Sequence, residues 1–315
     1  MPGKSFSRRL LNSLLGAGRV GTVNPQLYRF DASGCNGCDV ELVEMTALVP
    51  LAELGVELVE APQAANVLLV TGGANLKTKG ELEAAYGALQ EPRVVVAVGA
   101  CAATMGIFKG GYSMTGPLDA IIPVHWYILG CPPRPQAILG ALAEAFELKR
   151  EGLDALLTTP PGFRGDPHVD AAKCMGCGAC VHVCPADAIE AVEENGQRVI
   201  RFKRRDCIFC GTCQDVCPSQ AVELVQREKS WFRDKEASRS EARLPLARCP
   251  ACGAPYVPAE QVAWAMRKLD ETLRMDDAVR ARVRRSASIC PACRRSSFAE
   301  IREAKRILAT LAKVQ

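Results

Sequence analysis

The stretch RVVVAVGACAATMG, residues 93–106, decides the fold of the first half of this chain. It opens with a short, nearly continuous apolar run, which is typical of a strand buried on both faces of a parallel sheet. Comparable runs occupy 56–60, 66–73 and 124–130. Helical patterns separate or follow these runs, over 39–49, 78–90 and from Pro135 onwards. The alternation predicts an α/β domain with a doubly wound parallel sheet.

Four cysteines of this half are expected at one edge of that sheet. Cys101 and Cys131 each lie within two residues of the end of a predicted strand. In flavodoxin-like sheets, ligands gather beyond the carboxyl ends of the strands. Cys35 and Cys38, in GCNGCDVE, stand just before an acidic helix whose N-terminal dipole favours thiolates and an anionic cluster. We therefore predict a flavodoxin-like domain with a 4Fe-4S site held by these four thiolates.

The cysteine content of the whole chain points to metal chemistry. The 315 residues contain 16 cysteines, which divide into four groups of four, and only three histidines. Disulfides are a poor explanation, because no secretory signal accompanies the cysteines and most of them stand in C-x-x-C pairs. Any metal site must rest on cysteine sulfur, which favours iron-sulfur clusters, zinc or a single iron.

Residues 174–185 contain a cysteine run that recurs 33 positions later, each time followed by proline. The spacing is that of the bacterial ferredoxin run, in which the fourth cysteine of each half ligates the cluster of the other half. It predicts an α+β two-cluster ferredoxin domain, with a hairpin that turns at Asn195-Gly196 between the halves. The expected 4Fe-4S ligand sets are Cys174, Cys177, Cys180 and Cys217, and Cys207, Cys210, Cys213 and Cys184.

The sequence CPAC occurs twice near the end of the chain. Two such knuckles can close a tetrahedral four-sulfur site for zinc or for one rubredoxin-like iron. Because the pattern shows no open ligand position, a structural role is favoured over electron transfer. The spacing of Val262, Met266, Leu269 and Leu273 predicts a helix between the knuckles. The candidate ligands are Cys249, Cys252, Cys290 and Cys293.

Composition divides the chain into successive segments. Prolines and glycines indicate an extended linker, and a stretch rich in Arg, Lys, Glu and Ser indicates a solvated connector with Trp231 and Phe232 as a candidate docking anchor. The expected segments are an N-terminal segment (1–24), a 4Fe-4S domain (25–151), a linker (152–172), a ferredoxin domain (173–226), a connector (227–248) and a small cysteine-knuckle domain with helices (249–315).

Other function classes receive little support. The net charge of +4 is small for this length, so composition indicates no nucleic-acid partner. The apolar runs are far shorter than the roughly 20 residues of a membrane span, so we expect no transmembrane span in this chain. GAGRVG at 16–21 lacks the flanking strand and helix of a nucleotide site and is interpreted as a turn. Residues 7–11 only faintly resemble a twin-arginine export signal.

The motifs CNGCDVE, GACAATMG and GCPPRP, within about 25–150, carry a family resemblance. They resemble the small subunit of NiFe hydrogenases and its homologue in respiratory complex I, and most of all the membrane-bound, energy-converting branch. In complex I the first two ligands are adjacent, whereas Asn36 and Gly37 separate them here, as in hydrogenases. The second half, with CIFCGTC and two terminal knuckles, resembles the two-cluster ferredoxin subunit of formate hydrogenlyase, which implies a fusion of two electron-transfer subunits.

The resemblance implies an electron relay through three 4Fe-4S clusters to a NiFe centre in a partner large subunit. It also implies membrane-arm subunits, a donor such as a ferredoxin or a formate dehydrogenase subunit, and a cytoplasmic position at the inner face of the cell membrane. Glu41 matches an acidic position near the cluster and is a candidate proton relay, although a helix-dipole partner is an equal alternative. Arg134 is a candidate for stabilising cluster charge.

Two alternatives remain at this point. A complex I-like quinone- or sulfur-reducing complex would keep this subunit while its large subunit lacks nickel. A metal-stapled nucleic-acid or scaffold protein would use the terminal knuckles and arginines, and would bind RNA or DNA in a salt-dependent way. The second alternative leaves twelve cysteines without a role.

Overall fold

A six-stranded sheet organises the first half of the chain. The computed structural model describes residues 24–148, 164–225, 229–237, 239–272 and 276–296. The strand order is β2-β1-β3-β4-β5-β10, with the first five strands parallel and β10 antiparallel to β5. The strands are β1 (Gln26–Asp31), β2 (Glu57–Leu58), β3 (Val67–Thr71), β4 (Val94–Val98), β5 (Trp126–Ile128) and β10 (Trp231–Phe232).

Helices cover both faces of this sheet, as the apolar runs predict. Every residue of β3 and β4 is buried. One apolar core lies under α1 (Gly37–Leu48) and α4 (Pro135–Ala145). The other lies under α2 (Thr78–Ala88) and α3 (Ala100–Thr104). The parallel α/β domain is therefore confirmed.

The first strand of the sheet was not predicted. β1 has the sequence QLYRFD, in which only Leu27 is fully buried, while Tyr28 and Phe30 pack partly buried against the core on the other face of the sheet. Its register places Phe30 opposite Val70 and Asp31 opposite Thr71 of β3. Because charged residues interrupt its apolar residues, the strand lacks the continuous run that identified its neighbours. β1 nevertheless leads directly into the loop of Cys35.

The second half contains two antiparallel sheets. β6 (Asp166–Val169) pairs with β9 (Val222–Val225), and a four-stranded sheet has the order β12-β11-β8-β7. The predicted hairpin is confirmed, because Glu194 pairs with Gln197 and both Asn195 and Gly196 have positive φ angles. The remaining elements are β7 (Ile189–Glu194), β8 (Gln197–Lys203), β11 (Arg239–Arg248), β12 (Pro255–Pro258), α5 (Ala179–His182) and α6 (Thr212–Asp215).

Residues 227–248 are expected to form a solvated connector, but most of the part that the structure describes, 229–237 and 239–248, is strand. β11 runs for ten residues and pairs with both β8 and β12. Ala242 and Leu244 on β11 are buried, and charged residues occupy the alternate positions. Composition alone hides this two-residue alternation, because the many charged side chains of the stretch occupy the solvated face of the sheet. The end of the expected linker likewise forms β6.

The last described part contains α7 (Ala259–Thr272) and α8 (Asp277–Ala287). The helix predicted between the knuckles is confirmed over Val262, Met266 and Leu269, and Leu273 lies outside the described residues. The turn proposed at 16–21 and the residues that resemble an export signal also lie outside them. Within the described part of the chain, no helix combines the length and the apolar character that crossing a bilayer requires.

Candidate iron-sulfur and metal centres

The structure brings the first four cysteines together at the carboxyl edge of the parallel sheet. Cys38 lies in the first turn of α1 and Cys101 in α3, while Cys35 and Cys131 lie in loops. Burial raises the pKa of Cys38 to about 12, and negative charge on Cys101, Cys131 and Cys35 adds to the rise. Burial and then Cys131 and Cys35 raise the pKa of Cys101 to about 11. Charges on sulfur raise the pKa of another thiol in this way only at short range, so the four thiols are neighbours.

A glycine makes room for this arrangement. Gly99 connects β4 to α3 with a φ of 89° and a ψ of 164°, a conformation that side chains rarely adopt. A Cβ atom at Gly99 would lie 2.6 Å from Sγ of Cys38. Gly72, after β3, is equally close-packed, because its Cβ would lie 2.6 Å from the backbone of Ser33. The loops that follow β1, β3 and β4 therefore touch one another through glycines.

A carboxylate beside Cys38 fastens α1 to the sheet. Asp39 accepts a hydrogen bond from Arg29 Nε at 2.5 Å and another from Thr71 Oγ1 at 2.8 Å. Arg29 belongs to β1 and Thr71 ends β3, so one side chain joins the ligand helix to two strands. Sequence reasoning missed this role, because β1 itself was not predicted.

Glu41 and Arg134 lie on the elements that flank the cysteines. Glu41 is half-buried in α1, one turn beyond Cys38, and burial followed by the charge of Glu44 raises its pKa. Arg134 is 5% exposed and lies directly before α4, three residues after Cys131. The proton-relay role of Glu41 and the charge-stabilising role of Arg134 stay predictions.

Two cavities in the second half are lined by the two crossed cysteine sets. A cavity of about 560 Å³ and a smaller one of about 20 Å³ are each lined by three cysteines of one half and the fourth cysteine of the other half. The larger is lined by Cys207, Cys210, Cys213 and Cys184, and the smaller by Cys174, Cys177, Cys180 and Cys217. The structure therefore juxtaposes the residues in the crossed order that the repeat predicts.

The pKa shifts of the cysteines agree with the crossed grouping, in which the fourth cysteine of each half joins the set of the other half. Burial raises the pKa of Cys207 to about 12, and charge on Cys213, Cys184 and Cys210 raises it further. Burial likewise raises the pKa of Cys180 to about 12, and the charges that add to it are those of Cys174, Cys177, Cys213 and Cys217. Because Cys213 belongs to one set and Cys180 to the other, the two sets are adjacent.

Backbone amides donate to the fourth cysteine of each half in the same way. Ala188 N donates to Cys184 Sγ at 3.2 Å, and Ala221 N donates to Cys217 Sγ at 3.2 Å. The two alanines are 33 residues apart, so the internal repeat extends to the hydrogen bonds. Hydrogen bonds to sulfur are one means by which a protein sets the reduction potential of an iron-sulfur cluster.

The two knuckles form a compact four-sulfur group. The Sγ atoms of Cys249, Cys252, Cys290 and Cys293 lie within 4.8 Å of one another. A hydrogen bond from the Cys290 amide to Cys249 Sγ, at 3.3 Å, lowers the pKa of Cys249 to about 6. Hydrogen bonding to Cys252 and Cys290 raises the pKa of Cys293 to about 12. Four sulfurs this close fit a single tetrahedral ion such as zinc or iron.

The donor sets fit the groups that the motifs imply. The first three quartets each offer four cysteine sulfurs, which are the ligands that hold 4Fe-4S clusters. In the first quartet, burial and then the charges of the neighbouring sulfurs raise the thiol pKa values, so a bound cation would favour the thiolate form.

Comparison with known proteins places the chain in a family. The model of the family "NADH ubiquinone oxidoreductase, 20 Kd subunit" matches residues 35–145, which contain the whole first quartet. The probable membrane-bound hydrogenase subunit of Pyrococcus furiosus is 36% identical over 125 residues, which are 39% of this chain and 75% of that protein. This chain belongs to that 20 kDa subunit family. A 4Fe-4S dicluster domain model also matches residues 173–221, which contain both crossed sets.

Other members of this 20 kDa subunit family belong to two kinds of complex. An NADH-quinone oxidoreductase subunit of Flavobacterium johnsoniae is 36% identical over 149 residues, 47% of this chain and 79% of that protein. Formate hydrogenlyase subunit 7 of Escherichia coli is 35% identical over 130 residues, 41% of this chain. The match spans about half, 51%, of that subunit. The chain is thus an oxidoreductase subunit with a 4Fe-4S dicluster domain.

Proposed function

We propose that this chain is the electron-transfer subunit of a membrane-bound NiFe hydrogenase complex of the formate hydrogenlyase or energy-converting type. It relays electrons between a donor at its ferredoxin-type half and the NiFe centre of a partner large subunit. When bound, three 4Fe-4S clusters supply the one-electron oxidation and reduction that this role needs. The chain's own residues hold the clusters, exclude water from them and fix their order.

The proposed ligands are the three cysteine quartets. Cys35, Cys38, Cys101 and Cys131 hold the cluster next to the NiFe site. The crossed sets hold the other two clusters. The strand order 2-1-3-4-5 of the parallel sheet supports the flavodoxin-like fold of the first domain. The proposed division of the chain keeps the first domain at 25–151 and the ferredoxin domain from 173, with β10 to β12 following it.

A contact between the two halves carries this proposal. Thr104, the last residue of α3, donates from Oγ1 to the carbonyl of Arg205 at 3.2 Å. Thr104 lies three residues after Cys101, and Arg205 lies two residues before Cys207. The first quartet therefore adjoins the Cys207 set, and the Cys207 set adjoins the Cys174 set. A relay along this chain runs through the quartets in that spatial order.

Exposed apolar side chains in the segments around the first quartet support a partner subunit, which we propose covers them as one surface. Val40 and Val43 on α1 are 59% and 68% exposed, and Leu76, after β3, is 75% exposed. Ile107 and Tyr112, in the segment after α3, are also exposed. Several exposed apolar side chains around a ligand loop are typical of an interaction surface. We assign this surface to the NiFe-type large subunit, with Glu41 of α1 as the proposed proton relay beside it.

The terminal four-sulfur group is proposed as a structural zinc site, with a single iron as the alternative occupant. Zinc in closed four-cysteine sites contributes directly to folding. It would join the loop between β11 and β12 to the segment after α8. The complex as a whole is proposed to lie peripherally at the inner face of the cell membrane, with other subunits forming the membrane arm.

Purification of the native complex through a tag on this chain tests the proposal. We expect a co-purifying large subunit with two C-x-x-C pairs, about one nickel per complex, and hydrogen uptake or evolution with a redox dye. A complex that reduces quinone or sulfur without nickel would instead establish the complex I-like alternative. That alternative is favoured by the similarity to the NADH-quinone oxidoreductase subunit of Flavobacterium johnsoniae.

A further inference from the structure

A short segment of the second half packs on the sheet of the first half. Residues 229–235, here named the strap, lie between β9 and β11 in sequence. Within the strap, β10 adds an antiparallel edge to β5, with Trp231 opposite Ile128 and Phe232 opposite Tyr127. Leu129 N also donates to the carbonyl of Ser230 at 2.8 Å. The strap therefore closes the free edge of β5 in a fixed register.

Trp231 occupies a notch made by a glycine of α4. A Cβ atom at Gly140 would lie 2.4 Å from the indole ring, so only glycine admits the side chain at this depth. Trp231 is 7% exposed, and its Nε1 donates to Glu144 at 2.8 Å. Lys229 Nζ reaches the same carboxylate at 2.8 Å. Shape and hydrogen bonding together specify where this residue docks.

Charged side chains of the strap also contact residues in and near β5. Lys235 forms an ion pair with Asp119 at 2.5 Å, and Asp119 also accepts from Tyr127 Oη at 2.9 Å. The guanidinium of Arg233 lies 4.8 Å from the ring centroid of Trp126. Cation contacts with aromatic rings of this kind are attractive and add to the ion pair in holding the strap. The strap is thus attached along most of its length.

The other side of the strap is fixed to the loop of Cys207. Arg204 is 7% exposed, pairs with Asp166 of β6, and donates to Ser230 Oγ at 3.0 Å and to the Lys229 carbonyl at 3.2 Å. Arg204 begins the turn that leads into Cys207. One buried guanidinium therefore joins the strap to the turn that positions a cysteine ligand.

We propose that the strap is an intramolecular docking device that fixes the Cys207 set relative to the Cys101 quartet. Trp231 and Arg204 act as positioning residues for electron transfer between them, an inference that rests on the proposed 4Fe-4S clusters. In this step one electron would pass between the cluster held by the Cys207 set and the cluster held by the first quartet, so that one cluster is oxidised as the other is reduced. No proton moves and no bond breaks. Because electron tunnelling weakens steeply with distance, the docked geometry sets the rate.

The test uses the full chain, reconstituted anaerobically, with Trp231→Ala and Trp231→Phe. Trp264→Ala in α7, outside the strap, is the matched control. The measurements are iron content, magnetic coupling between the clusters after reduction with dithionite, and hydrogen exchange of the Leu129 amide. For Trp231→Ala we expect unchanged iron, weaker coupling, and exchange at Leu129 that is roughly 100-fold faster, as losing a buried Trp side chain implies.

Trp231→Phe keeps an aromatic ring in the notch but removes the bond to Glu144. We expect about fivefold faster exchange, as for loss of one hydrogen bond, and cluster coupling near that of the natural chain. Trp231→Ala with the coupling and exchange of the natural chain would overturn the inference. So would an equal effect of Trp264→Ala. A natural chain with only about eight irons would overturn the proposed three clusters instead, while the exchange of Leu129 would still test the docking.

Discussion

The first quartet and the crossed ferredoxin-type sets offer the same side chain, that of cysteine, but are built in different ways. The first quartet gathers residues from 35 to 131, and neighbouring parallel strands bring them to one edge. Each crossed set draws only on residues within 174–217, through short turns and one-turn helices. The difference teaches that the geometry of the first quartet depends on a whole sheet, whereas the geometry of each crossed set depends on local turns.

The largest effect is expected where the backbone of the sheet touches a ligand. Gly99→Ala places a Cβ against Cys38 Sγ and forces a strained backbone conformation, which costs about 1–3 kcal/mol before the contact is counted. We expect loss of the first cluster, so that iron falls from about twelve to about eight per chain while the ferredoxin-type signals remain. Iron and sulfide analysis with EPR measures this.

Gly87→Ala is the matched control, because a Cβ at this position of α2 meets nothing within 4 Å. It should retain all clusters and stabilise the helix by up to about 1 kcal/mol. Retention of the first cluster in Gly99→Ala would show that the quartet tolerates a shift of its sheet, and the contrast between the two kinds of site would disappear.

The crossing of the second and third sets predicts which variants share a phenotype. Cys184→Ser and Cys210→Ser should abolish the same EPR signal, although they lie in different halves of the repeat, because both line the larger cavity. Cys217→Ser should match Cys177→Ser for the same reason. Each variant should lose about four irons without unfolding the parallel sheet. Pairing within each half, with Cys184→Ser resembling Cys177→Ser, would contradict the crossed assignment.

The terminal knuckles offer a third kind of site, closed around one ion. Cys252→Ser should remove about one metal ion per chain and leave the iron-sulfur content unchanged, because its four sulfurs form a group of their own. Metal analysis before and after the substitution measures this, and proteolysis should show α7 and α8 becoming accessible. Ser288→Ala, whose hydroxyl bonds only locally to the Arg285 carbonyl, is the control. Loss of iron rather than zinc would establish a rubredoxin-like site.

The smallest effect concerns the attachment of α1 to the sheet. Asp39→Asn keeps an acceptor for Thr71 but removes the charge facing Arg29, which is 46% exposed, so we expect a loss of only about 1 kcal/mol in the free energy of unfolding. Denaturant unfolding measures it, with the exposed Glu81→Gln as control. A cost of several kcal/mol would mean that Asp39 also holds Cys38 in place.

Several features were predictable from the sequence because their signals are short-range. The continuous apolar runs of β3 and β4, the turn at Asn195-Gly196 and the helical spacing beginning at Val262 were each sufficient to predict the element that forms there. The spacing of the cysteines was sufficient to group them, since a C-x-x-C pair can reach one metal whatever surrounds it. Chemistry encoded in adjacent residues requires no knowledge of the rest of the fold.

Features that depend on partners far away in sequence could be identified only from the tertiary structure. β1 is a strand because it lies between β2 and β3, and β11 because it lies between β8 and β12. The residue composition of a strand does not indicate which other strands will pair with it. Likewise nothing near Trp231 in the sequence indicates Gly140, and nothing near Thr104 indicates Arg205.

The sequence by itself therefore grouped the cysteines and predicted the cluster types that each group could hold. The tertiary structure alone decided how the cysteine sets are arranged relative to one another. The physical reason is that ligand identity is a property of side chains spaced a few residues apart. The arrangement arises instead from contacts between segments about 100 residues apart in sequence, such as the pairing of Trp231 with Ile128 and the hydrogen bond from Thr104 to the Arg205 carbonyl.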